Sequence, residues 1–310
     1  MIATVPPPAR PRLAAEDEQV LSMARHTFPV KLPDGESYPV VSYRYACGGG
    51  EDAPQQVLLH GATYDHRYWD LPGTQGVDHS YARYMARQGY EVWALDLLGA
   101  GESGIPPGDL LTLDALVRSV HQVLSRIRTG APLALVGHSL GSAVAVAVKA
   151  SFPEAVDAVV TTGMGHVEHA LPLSPDAVET WASAEYFRFP PEVRAGIFYA
   201  EGAAEPDAVA HDLATFRGAI SRGELFTVML SGFDPERTHI EEVTGPVRVQ
   251  LGERDALYPA AYADGEAALW PNAEVSVRRL PHVGHAVNGH RGCHESWADI
   301  DAWLSRVLRP

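Results

Sequence analysis

The run Gly137-His138-Ser139-Leu140-Gly141 has the residue types and spacing of a nucleophile turn. It follows an apolar stretch over 132–136 and precedes a helix-forming stretch over 142–151, the context in which a G-x-S-x-G segment exposes a serine hydroxyl at a helix N-terminus. The glycines answer a crowding problem. So sharp a turn forces Ser139 into a strained backbone conformation, and side chains at 137 or 141 would meet neighbouring elements. A serine hydroxyl attacks a carbonyl only when a base takes its proton. Of the 14 histidines, His285 in Pro281-His282-Val283-Gly284-His285 is the best-placed base, just after the last predicted strand. His282 is the competitor, and His290 reads as a surface residue.

A base of this kind must be held in one tautomer by a buried carboxylate, which also stabilises the imidazolium as it forms. Asp255 fits, lying just past a strand and completing the chain order Ser, Asp, His; Glu253, two residues earlier, is the alternative. The oxyanion of a tetrahedral intermediate needs two backbone N–H donors. One is expected from Leu140, and the other from the loop after His60-Gly61, with Ala62 first and Thr63 second. His60 reads as a structural hydrogen-bonding residue and His138 as a packing residue beside the turn.

These residues must be positioned by strands and helices, and the apolar pattern supplies both. Strands are predicted over 26–32, 39–47, 55–60, 90–95, 132–137, 158–162, 247–251 and 275–280, the first two as an antiparallel hairpin around Asp34-Gly35. Helices are predicted over 113–128, 142–151, 260–269 and 296–308. This alternation predicts an α/β fold, a mostly parallel eight-stranded sheet with helices on both faces, because parallel strands require crossovers. Between the strands ending at 162 and starting at 247 lie about 80 residues of helix-like sequence, far more than an ordinary crossover. The expected organisation is therefore a core over 26–164 and 246–310, interrupted by a helical cap over 165–245 at the sheet's C-terminal edge. Residues 1–25 read as a proline-rich arm, with Pro6, Pro7, Pro8 and Pro11 opposing regular structure.

Bulk properties exclude some functions. Acidic residues outnumber basic ones 39 to 24, and the formal net charge of −15 would repel phosphate backbones, so nucleic acid is not an expected partner. No apolar run reaches the roughly 18 residues of a membrane span, and none near the start suits a signal peptide, which makes the cytoplasm the expected location. The two cysteines, Cys47 and Cys293, stand in no metal-like spacing and read as inert thiols. No cofactor or metal is implied, and oligomeric state is not readable.

Taken together, Leu59-His60-Gly61-Ala62, the loop from Asp96 to Ser103, the turn from Gly137 to Gly141, the stretch from Gly252 to Asp255, and Gly284-His285 resemble the α/β-hydrolase superfamily. The resemblance is specifically to its capped esterase, lipase and thioesterase-like members. The resemblance covers roughly residues 27–308 apart from the cap, and implies a structural role for the 96–103 loop. Relatives that are epoxide hydrolases or haloalkane dehalogenases carry aspartate at the turn, so Ser139 argues against both. Ser-Leu-Gly-Ser at 139–142 also departs from the Ser-Met-Gly-Gly of many perhydrolase-like and ring-cleavage relatives.

The cap sequence is rich in large apolar side chains, including Phe189, Phe198, Tyr199, Phe216, Met229 and Phe233, most of them expected to form the cap's own core. Expected pocket residues are Thr63, Tyr64, His138, Trp181, Tyr186, Phe187 and Phe226, which would make the pocket mostly apolar. The expected activity is hydrolysis of a carboxylic ester, lactone or thioester of a small molecule through an acyl-serine. An acyltransferase or biosynthetic tailoring enzyme using the same triad is the alternative, followed by a non-catalytic ligand receptor. A metal site built from His282, His285 and His290 is disfavoured, since their spacing does not suit one helical face.

Overall fold

The runs of β-branched and aliphatic residues assemble into one eight-stranded sheet. The computed structural model describes residues 20–309 apart from 49, 51, 75, 168–172 and 232–233, so Phe233 and most of the proline-rich arm lie outside the described residues. The strands are β1 (Leu21–Lys31), β2 (Ser37–Cys47), β3 (Gln55–Leu59), β4 (Glu91–Leu95), β5 (Leu133–His138), β6 (Ala158–Thr162), β7 (Gly245–Gly252) and β8 (Ala273–Leu280). Their spatial order is β1-β2-β4-β3-β5-β6-β7-β8. β2 runs antiparallel to β1 and β4, and every other pairing is parallel. β1 begins five residues earlier than the sequence pattern indicates, because its ladder with β2 continues to Leu21 opposite Cys47. Residues 21–25 therefore belong to the sheet and not to an arm.

Strands β3, β5 and β6 are buried along their whole length, as parallel strands covered on both faces must be. Alternate residues feed two separate cores. Val57, Leu59, Leu133 and Leu135 pack with helices α2 (Leu113–Ile127) and α3 (Leu140–Ser151). Leu58, Ala134, Val136 and Val160 pack on the other face with α1 (Tyr81–Arg87) and, at the end of the chain, Trp297, Ile300 and Leu304. α3 carries three valines, poor helix formers, yet nearly all of it is buried, so packing overrides propensity here.

Between β6 and β7 the longest helices among the described residues are α4 (Pro175–Ala182), α5 (Pro191–Phe198) and α6 (Pro206–Thr215), followed by shorter helical turns. Each of these three opens on a proline, whose missing N–H costs nothing in a first turn, followed by an acidic residue that suits the positive end of the helix. A two-strand ribbon, Tyr186–Phe187 with Ile220–Ser221, ties the segment together. Trp181 stacks on Phe187 with ring centroids 5.2 Å apart and meets Phe189 edge-on at 4.9 Å. After β7 come α7 (Ala263–Ala268) and α8 (Cys293–Val307).

Candidate active site

Ser139 sits where β5 gives way to α3, with φ 52° and ψ −119°. This positive φ is costly for a residue with a side chain, typically by about 1–3 kcal/mol, and is held by its surroundings. Ser139 N–H donates to the Thr162 carbonyl on β6 at 2.9 Å. A Cβ on Gly141 would lie 2.1 Å from the Leu59 carbonyl oxygen, and one on Gly137 would lie 2.4 Å from Ser142 Cα. Backbone meets backbone at both positions, so no rotamer change could make room.

Two loops bring their side chains to this hydroxyl. Beyond β7, Asp255 accepts hydrogen bonds from the N–H groups of Leu257 (2.8 Å) and Tyr258 (3.0 Å). Beyond β8, His285 places Nδ1 3.0 and 3.2 Å from the two Asp255 carboxylate oxygens and Nε2 3.0 Å from Ser139 Oγ. Asp255 and His285 are buried, whereas Ser139 is partly open to solvent. Burial alone would push the Asp255 carboxyl up; the attraction and hydrogen bond of His285, with the two amides, outweigh it and hold the carboxyl below its ordinary range. The competing residues, Glu253 and His282, are exposed. A serine, imidazole and carboxylate so connected can pass the hydroxyl proton to Nε2 while the carboxylate steadies the resulting imidazolium.

The loop after β3 faces the turn. A Cβ on Gly61 would stand 3.1 Å from Ser139 Cβ. Tyr64 N–H closes a turn onto the Gly61 carbonyl at 3.2 Å, and Thr63 takes φ 69° within it, a left-handed conformation unfavourable for a β-branched residue. Leu140 opens α3, so its N–H has no intrahelical acceptor. Ala62, Ser139 and Leu140 line one cleft, together with Ala143, Met164, Leu173, Phe189, Ile197, Phe198, Val228, Met229, Leu257 and Tyr258. The cleft encloses about 610 Å3 including its open mouth, and no charged side chain lines it.

None of the seven pocket residues expected from the sequence lines this cleft. Thr63 is buried beneath the loop, where its Oγ1 meets the Arg194 guanidinium. Tyr64 packs among Tyr68, Phe198 and Phe216. His138 lies under the turn, stacked on Tyr68 at 4.4 Å, and burial together with the nearby His285 holds its imidazole well below its ordinary pKa. Trp181 and Phe187 form the core of the segment between β6 and β7, Tyr186 donates to the Pro106 carbonyl at 2.7 Å, and Phe226 is 48% exposed. Residue type could indicate an aromatic-rich segment; which members face inward depends on how each short helix is rotated. Leu257 and Tyr258, two and three residues past Asp255, could have been found from that closeness in sequence alone.

His290 does not lie at the surface, where its sequence context put it. It is fully buried, with Nδ1 2.8 Å from the Ala286 carbonyl and Nε2 accepting from Ala200 N–H at 3.1 Å. Two other backbone bonds join the same stretches: Ala286 N–H to the Phe198 carbonyl (2.9 Å) and Arg291 N–H to the Ala203 carbonyl (3.1 Å). The Arg291–Glu205 ion pair (2.6 Å) reinforces them. His60 accepts from Leu97 N–H at 3.1 Å. Among the described residues, Asp65, His66 and Asp96 alone converge closely enough to share a cation. Their atoms are already engaged: Asp96 accepts from His66 and from Glu102 N–H, and Asp65 pairs with Arg67.

Comparison with known proteins agrees with this architecture. The chain is 24% identical over 271 residues to the uncharacterized protein Rv2715 of Mycobacterium tuberculosis, covering 77% of this chain and 72% of that one. In fold it is similar to an esterase from Thermogutta terrifontis, with 18% identity, a TM-score of 0.69, and coverage of 91% of this chain and 99% of the other. It is also similar to a monoacylglycerol lipase from Paleococcus ferrophilus, with 17% identity, a TM-score of 0.64, and coverage of 92% and 99%. At such identities the likeness speaks for the fold alone. No helix among the described residues is long and apolar enough to cross a membrane. The model of the alpha/beta hydrolase family matches residues 56–295, most of the chain, and the protein belongs to that family.

Proposed function

We propose that the protein is a serine hydrolase that cleaves a carboxylic ester, lactone or thioester of a mostly apolar small molecule. The observation that carries this reading is the continuous chain from Ser139 Oγ through His285 to Asp255, opening on an uncharged cleft. In the proposed reaction His285 Nε2 takes the Ser139 proton as Oγ adds to the carbonyl carbon. The resulting oxyanion is received by the N–H groups of Leu140 and Ala62, and such donors are typically worth about 3 kcal/mol of barrier each. The imidazolium then protonates the departing alkoxide or thiolate, leaving an acyl-serine. Water attacks the acyl carbon, giving its proton to the same nitrogen, and the carboxylic acid departs with Ser139 restored.

The segment 165–245 acts as a cap in this reading, supplying Leu173, Phe189, Ile197, Phe198, Val228 and Met229 as apolar walls. Those walls favour an uncharged acyl or alcohol portion over one bearing carboxylate or phosphate, since no basic side chain in the cleft would receive the charge.

The test is a fluorophosphonate probe and a p-nitrophenyl ester series from acetate to decanoate, applied to wild type and Ser139→Ala. Labelling at Ser139, lost in the variant with turnover, supports the reading. A label elsewhere, or undiminished turnover by Ser139→Ala, overturns it. Turnover that requires an added alcohol or amine would instead indicate acyl transfer.

A further inference from the structure

We infer that Arg194, on α5, is a positioning residue for the oxyanion loop, so that docking of the segment between β6 and β7 completes the site it covers. The inference rests on the serine hydrolase reading above.

Only four non-glycine residues take positive φ among the described residues, and two of them, Ser139 and Thr63, belong to the nucleophile turn and the loop facing it. Ser139 is held by its own core, through Thr162 and the close approach of Leu59 to Gly141. Thr63 is held by the β6–β7 segment. Arg194 Nη1 donates to Thr63 Oγ1. Gly218 lies so close to the Thr63 backbone that a Cβ there would stand 2.6 Å from its carbonyl oxygen. Thr63 is thus gripped at side chain and main chain by residues more than 100 positions away.

The grip is itself fixed. Arg194 Nη2 donates to Asp212 Oδ1 at 2.5 Å, and Tyr199 OH donates to Asp212 Oδ2 at 2.7 Å. The guanidinium lies 4.8 Å from the Tyr64 ring centroid and 5.0 Å from that of Phe198. Arg194 and Asp212 are 4% and 1% exposed, so neither partner can exchange the other for water. Surface ion pairs are dispensable; a buried guanidinium shared between a carboxylate and one hydroxyl is a rigid reference point. Ala62, whose N–H is the proposed oxyanion donor, directly precedes Thr63, the residue that Arg194 anchors.

The experiment compares full-length wild type, Thr63→Ser, Thr63→Val, Arg194→Gln and the Thr63→Val/Arg194→Gln double variant. For each, kcat and KM on a p-nitrophenyl ester are normalised to sites titrated with fluorophosphonate, and thermal melting is recorded. Thr63→Val keeps the Arg194–Asp212 pair and the shape of the side chain, so it reports on the hydroxyl contact even if Arg194→Gln fails to fold. The expected result is a kcat lowered on the order of 10- to 100-fold in Thr63→Val, somewhat less than loss of an oxyanion donor outright, with KM within about threefold. Thr63→Ser should keep wild-type kcat, and the double variant should be no worse than the poorer single variant. Wild-type kcat in Thr63→Val, multiplying losses in the double variant, or an effect confined to melting and titratable fraction would overturn the positioning role. Wild type that neither labels at Ser139 nor cleaves esters would sink the hydrolase reading and this inference with it, a result distinct from an active wild type with indifferent variants.

Discussion

Asp255 faces His285 with both carboxylate oxygens, 3.0 and 3.2 Å from Nδ1, while one of them also accepts the main-chain N–H groups of Leu257 and Tyr258. The carboxylate is therefore fixed by its own loop before it orients the ring. Replacing it with Asn should leave the loop standing but offer the imidazole an ambiguous partner able to select the wrong tautomer. For Asp255→Asn we expect kcat on esters to fall roughly 10⁴-fold with modest change in KM. Steady-state kinetics beside circular dichroism would check it, and an active Asp255→Asn enzyme would shift attention to another carboxylate.

Gly141→Ala tests crowding at the turn. Its methyl group would be driven into the Leu59 and His60 carbonyls, neither of which belongs to a flexible side chain. We expect destabilisation of at least about 2 kcal/mol, read as a lower denaturation midpoint, together with loss of Ser139 labelling in whatever protein remains folded. A variant melting like wild type would mean that the turn is looser than described.

Met229→Trp probes the cleft wall. Met229 lines the cleft without taking part in the Ser139–His285–Asp255 chain, so enlarging it should remove room without removing chemistry. Across a p-nitrophenyl ester series the preferred acyl chain should shorten, long esters losing about 10-fold or more in kcat/KM while fluorophosphonate labelling is retained. An unchanged chain-length profile would place the substrate elsewhere.

Two buried groups should give stability opposite slopes with pH. His290 is held at about 4, chiefly by burial, against an ordinary 6.5. The unfolded chain therefore binds the extra proton between about pH 6.5 and 4, and this contribution is lost as pH falls. Glu224 is raised to about 7 from 4.5, again chiefly by burial, so its contribution is lost as pH rises through that window. Each is worth at most about 3 kcal/mol. In urea melts from pH 4 to 7.5, Glu224→Gln should make stability climb more steeply with pH, and His290→Gln should make it decline. Parallel curves for both variants would exclude the two assignments.

How legible all this was in the sequence depends on the distance over which each feature is determined. Strands such as β3 and β6 are continuous apolar runs, and a run's position survives any arrangement of the rest. Ser139, Asp255 and His285 could be singled out because each lies just past a strand end, and the sheet brings those ends to one edge. His290 is not legible in the sequence, because the N–H that engages its Nε2 belongs to Ala200, 90 residues away in the chain. The same limit applies to Phe226 and Trp181, where only the rotation of short helices separates an exposed ring from a core ring. Leu21 is illegible for a milder reason: its strand identity comes from pairing with Cys47 and not from its own neighbours.

The carbonyl of Phe198 accepts the N–H of Ala286, the residue directly after His285, and three further contacts continue that seam to Arg291. Chain segments joined this way cannot be traded as independent modules. A chimera that imports residues 165–245 from a relative to change substrate preference would also import, or lose, the acceptor beside the histidine. Swaps that keep 194–205 and exchange only the stretches on either side should therefore survive recombination more often than swaps at the sheet boundaries, whatever the identity of the two parents.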